Sequence, residues 1–433
     1  ALATTEKHLG PTGLWGAPAG PNHYVTKITP NSPADGKVFP ADVIYGVNGK
    51  DFSVEADGKY VDLANAISKA EAEKGGGTMV LNIRREDELI EVPIKLEYMG
   101  AFSETTPWNC EKNENIVKAA ERYMKEGLRP ESGLLPDDSE YMYGPWNDPV
   151  LFLLATGNPE MLGLARRYMR NLMTRIDESL RTNQYNKKTG FESLGGWGIS
   201  YTQLLMGEYY HLTGDASILP YYQSLISGTW YKGAKPREEK EYSWPPPRSG
   251  HGTHPASQMP QAMGALLAVE DGLDVDKNEL WFNIRHLHEK RAENGFILYL
   301  GYGPFDIESR QIPAPLHMDS VQKATGHVGS MNGKLGTGAA LFSMLDGYDK
   351  AVSNCAERCV YSFNHTRKGH GGAWFNNFWT PIGAYHAGKE KYQHFLKGQQ
   401  WYRELYRDYT GSMWQAHNAK EKKSVLATGF AIH

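Results

Sequence analysis

From Tyr24 onward, short apolar-rich stretches recur with the spacing of β-strands: Tyr24–Ile28, Asp42–Val47, Thr78–Ile83 and Leu89–Ile94, each bounded by turn residues. Between the second and the third, apolar positions 63, 64, 66, 67 and 70 follow a helical period within Val61–Glu73, and Gly75-Gly-Gly77 ends it. Four strands and one helix predict a small α+β module over residues 8–98. A linker at 99–115 follows, and the remainder, 116–433, reads as helices punctuated by glycine.

The glycines recur. Gly157, Gly214, Gly272, Gly347 and Gly388 each follow an apolar-periodic run and precede another. Their spacings are 57, 58, 75 and 41 residues, and the last two together span twice 58. A period near 58 fits two helices and their loops, a unit that buries its apolar face only against neighbours. Within one unit Leu204, Leu205, Tyr209 and Leu212 form an apolar stripe beside Glu208. The expected fold is therefore multidomain, a small α+β domain followed by an all-α domain of stacked helical hairpins. Long glycine- and histidine-rich loops between the hairpins favour closure around a central cavity, an (α/α) toroid, over an open solenoid.

Composition narrows the functions. With 433 residues, 40 % hydrophobic and 22 % charged, the chain is long enough for two cores, and no apolar run approaches bilayer length. A formal net charge of −4 gives no bulk attraction for nucleic acid or an anionic membrane, so neither partner is expected. Three cysteines, Cys110, Cys355 and Cys359, are too few for a disulfide framework and read as buried thiols. The sequence starts at Ala1 without a basic-then-apolar leader, and the expectation is a secreted or periplasmic bacterial protein whose signal peptide has been removed.

Of the fifteen histidines only His8 and His23 precede position 200, so acid–base capacity is concentrated in the helical part. Three glycine-rich loops carry it: Ser249–Pro255 with His251 and His254, Gly326–Gly336 with His327, Asn332 and Lys334, and Lys368–Asn377 with His370, Trp374 and Asn376. On a toroid such loops converge on one face. Asn332 and Lys334 open a helix, where the positive end of the helix dipole adds to the lysine charge and favours an anion. The run Trp374-Phe-Asn-Asn-Phe-Trp379, with Asn376 within it and Trp197 elsewhere, suits sugar recognition, rings stacking on apolar faces while amides bond hydroxyls, and suits helix packing equally. Tyr201 and Tyr385 are candidate phenolic acids or bases. His251 and His254, three apart, are the one spacing that a divalent metal would use. No third ligand follows them, and neither metal nor other cofactor is expected.

The segments Asn31-Ser-Pro-Ala-Asp-Gly36 and Asp42-Val-Ile-Tyr-Gly-Val-Asn-Gly49 resemble, in order and spacing, those of bacterial PDZ modules. The resemblance implies a PDZ-like domain at 8–98 in which the loop ending Gly13-Leu-Trp-Gly16 would cradle a peptide C-terminus. The whole chain is similar to an uncharacterised exported bacterial family that joins a PDZ-like domain to a helical toroid. That likeness rests on Leu9–Gly13, Thr105–Lys112, Trp197–Tyr201, Gly250–Gly252, Asn332–Lys334, Gly369–Gly372 and Phe375-Asn376. Toroids recur in polysaccharide lyases, and the chain looks related to ulvan lyases, which act on sulfated, uronate-containing polysaccharide. The resemblance implies a β-eliminating lyase for an anionic polysaccharide, with Asn332 and Lys334 on the carboxylate, His370 or His251 as base, Tyr201 or Tyr385 as acid, and His327, Asn376, Trp374 and Trp197 in support.

Two other functions remain open on the sequence. A glycoside hydrolase would need a carboxylate pair, drawn from Glu192, Glu208, Asp306 and Asp319. A non-enzymatic scaffold would bind peptide at the PDZ-like module and glycan or protein at the helices.

Overall fold

The computed structural model describes residues 6–127, 148–182, 196–227, 255–289, 297, 331–361, 374–417 and 420–424. They divide into two compact units, one built from residues 1–123, 371–374 and 393–433 and the other from 124–370 and 375–392.

The first unit holds an antiparallel sheet. Its strands are β1 (Lys7–His8), β2 (Leu14–Ala19), β3 (Asn22–Ile28), β4 (Val43–Val47), β5 (Lys50–Asp51), β6 (Thr78–Arg85) and β7 (Glu88–Lys95). They lie in the order β1-β2-β3-β4-β6-β7, with β5 paired to β4. Alternation within β6 sends Met79, Leu81 and Ile83 into the core, where they meet Leu63 and Ile67 of helix α1 (Gly58–Glu71). The strands and the helix expected from residues 24–94 are thus all present. Three further strands, β1, β2 and β5, extend the sheet, and Leu405 from far along the chain joins the same core. Helix α2 (Glu111–Gly127) follows the sheet.

The remaining helices come in pairs: α3 (Asp148–Ala155) with α4 (Pro159–Thr182), α5 (Gly196–Thr213) with α6 (Leu219–Ile226), and α7 (Pro255–Glu270) with α8 (Lys277–Glu289). Then come α9 (Met331–Ser343) with α10 (Asp349–Tyr361), and α11 (Trp374–Tyr385) with α12 (Lys389–Tyr406). Five hairpins therefore stand where the glycine period predicts them. The turn glycines 157, 214, 272, 347 and 388 all have positive φ, from 62° to 93°. That conformation lets the chain leave a helix by capping its last carbonyls, as when Gly214 N–H donates to Tyr210 O at 2.7 Å. Cys355 and Cys359 share the buried face of α10 as free thiols, and burial raises the Cys359 pKa.

The helical expectation for 116–433 misses one element, a hairpin of β8 (Met413–His417) and β9 (Lys420–Ser424). Lys420-Glu-Lys-Lys carries too much charge to read as a strand. It is cross-strand pairing, from Met413↔Ser424 to His417↔Lys420, that makes it one. Among the described residues no helix is long and apolar enough to cross a membrane.

Candidate functional site

In the second unit α5, α7, α9 and α11 share a feature that their composition does not announce: their N-terminal halves carry polar residues that are buried. Ser200 and Gln203 of α5, Ser257, Gln258 and Gln261 of α7, Lys334 and Thr337 of α9, and Asn376, Asn377 and Thr380 of α11 all lie below the surface. A polar group removed from water costs free energy unless it is hydrogen-bonded, so these side chains constrain one another.

The bonds join the helices. The Gly333 N–H, one of the orphan donors at the start of α9, donates to Asn376 Oδ1 of α11 at 2.9 Å. One turn on, Trp379 Nε1 donates to the Tyr201 hydroxyl of α5 at 2.6 Å. Thr337 Oγ1 donates to Gly333 O at 2.7 Å, and Gln203 Nε2 donates to Leu225 O of α6 at 3.0 Å. Glycine makes the close approach feasible: a Cβ on Gly336 would lie 1.9 Å from Trp379 O, and one on Gly264 of α7 would lie 2.7 Å from the Gln203 backbone of α5.

Tyr201 is thus bonded to Trp379, the last residue of the aromatic run, and Asn376 to the backbone of Gly333, the residue before Lys334. Lys334 and Tyr201 are fully buried. Lys334 brings a positive charge to the first turn of α9, where the helix dipole adds to it, and together they favour an anionic group. The Gln203 Oε1, Gln258 Oε1 and Thr380 Oγ1 atoms are buried in the same helices and make no hydrogen bond among the described residues.

Tyr385 lies elsewhere. It is the last residue of α11, nine positions beyond Asn376 and hence roughly 13 Å along the axis. It is half exposed and packs edge-on against His386 and Tyr392. Trp197, Asn332 and Trp374 fall in the first turns of α5, α9 and α11, with side chains outside the described residues. His251, His254, His327 and His370 also lie outside them, as do Glu192, Asp306 and Asp319. Glu208, the remaining candidate carboxylate, sits in the later half of α5, and burial raises its pKa. Among the described residues no group of three or more His, Cys, Asp or Glu is arranged to hold a metal ion.

In the first unit, Gly13, Leu14, Trp15 and Gly16 are all buried. Gly13 has φ 78°, and a Cβ there would lie 2.0 Å from Ser32. The Gly13 N–H donates to Gly10 O at 3.3 Å, the Leu14 N–H to Thr12 Oγ1 at 3.1 Å, and the Leu9 N–H to Leu14 O at 2.9 Å. The outer edge of β2 is taken too, since Lys7 pairs with Gly16 and His8 with Trp15. Lys7 Nζ lies 4.8 Å from the centre of the Tyr60 ring of α1, His8 Nδ1 lies 3.3 Å from Leu405 O, and Trp401 stacks on Tyr60. Residues 7–8 thus pair along β2, and residues 7, 8 and 401–405 contact α1 and its neighbours.

A buried ionic cluster braces the same unit. Lys112 Nζ lies 3.0 Å from both Glu71 Oε2 and Glu404 Oε2, and Arg407 Nη2 bonds both carboxylates as well. Burial, with Glu404 adding, pushes the Glu71 pKa up against the pull of Arg407 and Lys112. Glu404 is held below its ordinary value, because Arg407 and Lys112 outweigh the desolvation that opposes them.

A sequence model of one family, described as a domain of unknown function (DUF6288), matches residues 115–299 and 320–430. The chain belongs to the DUF6288 family. The match begins within α2 and runs past β9, so DUF6288 includes the helices that carry Tyr201, Lys334, Asn376 and Trp379. No curated protein and no solved structure matches the chain.

Proposed function

We propose that the helical hairpins close into an (α/α) toroid and that the chain is an exported polysaccharide lyase, cleaving an anionic, uronate-containing polymer by β-elimination. The observation that carries the reading is a pair of buried bonds between helices, Gly333 N–H to Asn376 Oδ1 and Trp379 Nε1 to the Tyr201 hydroxyl, with buried Lys334 next to Gly333 in the chain, so that the N-terminal halves of three helices carry an ammonium, an amide and a phenol. A second regularity supports it. His251, His327 and His370 each stand four residues before the first residue of α7, α9 and α11, and Glu192 stands four before α5. Equivalent loops of successive hairpins therefore supply an ionisable side chain at one register.

In this reading Lys334 and Asn332 neutralise the uronate carboxylate, which makes the C5 proton removable. His251 or His370 takes that proton, the C5–H electron pair forms the C4–C5 double bond, and the C4–O bond breaks. Tyr201 gives its proton to the departing oxygen, its hydroxyl oxygen held by the Trp379 N–H. Asn376, His327, Trp374 and Trp197 position the sugar.

The test is the absorbance of unsaturated uronate on ulvan and other uronate polymers. Lys334→Met and Tyr201→Phe each lower kcat/KM by about a hundredfold or more in folded protein. Release of reducing ends without new absorbance would indicate hydrolysis, and retention on the polymer without turnover a binding protein; either result overturns the proposal.

A further inference from the structure

The first unit contains a cavity of about 300 Å³. Its wall includes Pro11, Asn31-Ser32-Pro33, Leu96, Met99 of the chain after β7, Ala119 of α2, and Arg407-Asp408-Tyr409 after α12. That volume stands at the small end of ligand sites, the size of one sugar ring. Two polar side chains in the wall are more than nine-tenths buried and carry an atom without a hydrogen-bond partner among the described residues: Ser32, 8 % exposed, at Oγ, and Arg407, 5 % exposed, at Nε. Buried polar atoms of this kind recur where a ligand or ordered water completes the bonding.

The charges in the wall select the chemistry. An anion entering the cavity would meet Glu71, Glu97 and Asp408, all of which line it. A cation would meet Arg407, and the carboxylates it would seek are engaged: Glu71 by Lys112 and Arg407, Glu97 by Arg122 at 3.6 Å, and Asp408 by the Thr410 N–H at 2.8 Å with His8 Nε2 at 3.6 Å. A hydroxyl group both donates and accepts, so a polyol can accept from the Arg407 Nε–H and exchange a bond with Ser32 Oγ without bringing charge into a low-dielectric wall. Pro11, Pro33, Leu96 and Met99 offer apolar surface to the C–H face of a ring.

We infer that this cavity is a binding site for a small, neutral, hydroxyl-rich ligand of monosaccharide size. It lies wholly within the first unit and does not depend on lyase activity in the second. The experiment is ligand-observed NMR on the full chain with galactose, xylose, rhamnose and glucose, and with glucuronate and glucosamine as charged comparators. At least one neutral sugar binds, the charged pair binds more weakly, and Ser32→Ala and the cavity-filling Ala119→Leu each weaken binding about tenfold or more. Circular dichroism and melting curves confirm that both variants are folded, and Ser32→Ala, which removes one hydroxyl only, stands as the test if Ala119→Leu does not fold. The inference is overturned if no neutral sugar binds, if the charged sugars bind better, or if binding survives Ser32→Ala undiminished.

Discussion

His23 makes the first unit sensitive to acid, and Leu in its place removes that sensitivity. The imidazole lies in β3, fully buried, between the Phe52 ring at 5.3 Å and the Tyr60 ring at 4.9 Å. Neither ring nitrogen has a hydrogen-bond partner among the described residues. Desolvation, with the Lys59 ammonium adding to it, lowers the pKa from 6.5 to about 3. Because the folded value lies below the unfolded one, acid protonates the unfolded chain first. The stability is complete above pH 6.5 and is lost as pH falls below it, down to about pH 3. Integrated from pH 7 to pH 5, the loss from this one group is about 2 kcal/mol. His23→Leu keeps an apolar side chain of similar size among the rings and cannot take up the proton. Hydrogen exchange of the β3 and β4 amides, corrected for intrinsic rates and read by mass spectrometry at the two pH values, isolates this unit. The parent chain loses about 2 kcal/mol more protection than the variant on acidification. Equal losses in the two proteins would refute the assignment of a neutral, desolvated His23.

The ionic cluster predicts that Lys112→Met costs about 3–5 kcal/mol in urea unfolding, since Glu71 and Glu404 then share Arg407 alone. Lys112→Met combined with Glu404→Leu recovers much of that loss, and a single-variant cost near zero would contradict the cluster's role. Gly336→Ala places a methyl group against the Trp379 carbonyl and lowers the melting temperature by several degrees, an overpacking cost of about 1–3 kcal/mol; an unchanged melting curve would mean that α9 and α11 do not approach as described. Because β1 takes up the β2 edge, peptides with an apolar C-terminus are expected not to bind the intact chain in fluorescence anisotropy. Removing residues 1–8 frees the β2 edge and raises their affinity, and equal binding by both chains would show that β1 does not block it.

The parts of this fold legible from sequence are those whose signal is local. Each hairpin turn shows because a helix leaving through positive φ prefers glycine, as at Gly214 and Gly272, and the strands from Asn22 to Lys95 show because their apolar residues have partners within one short module. Strand β2 was read as a loop, since Leu-Trp-Gly-Ala-Pro-Ala carries a glycine and a proline and lacks alternation; its two neighbours in the sheet make it a strand. The places of Leu405 and Arg407 in the first unit had no signal at all, because their partners lie more than 300 residues away, as the Arg407–Glu71 separation of 336 shows. At the candidate site the residue types were legible and their connection was not. Lys334, Asn376, Tyr201 and the aromatic run ending at Trp379 stand out by chemistry; the bond from the Trp379 N–H to the Tyr201 hydroxyl, 178 residues apart, does not.

The central claim, that buried Lys334, Asn376 and Tyr201 serve β-elimination on a uronate polymer, is tested most directly by following unsaturated-uronate absorbance with ulvan as substrate, for the parent chain beside Lys334→Met and Tyr201→Phe. The parent is expected to give a steady rise, and each folded variant a rate about a hundredfold lower. No rise for the parent on any uronate polymer, or an undiminished rate in both variants, would contradict the claim.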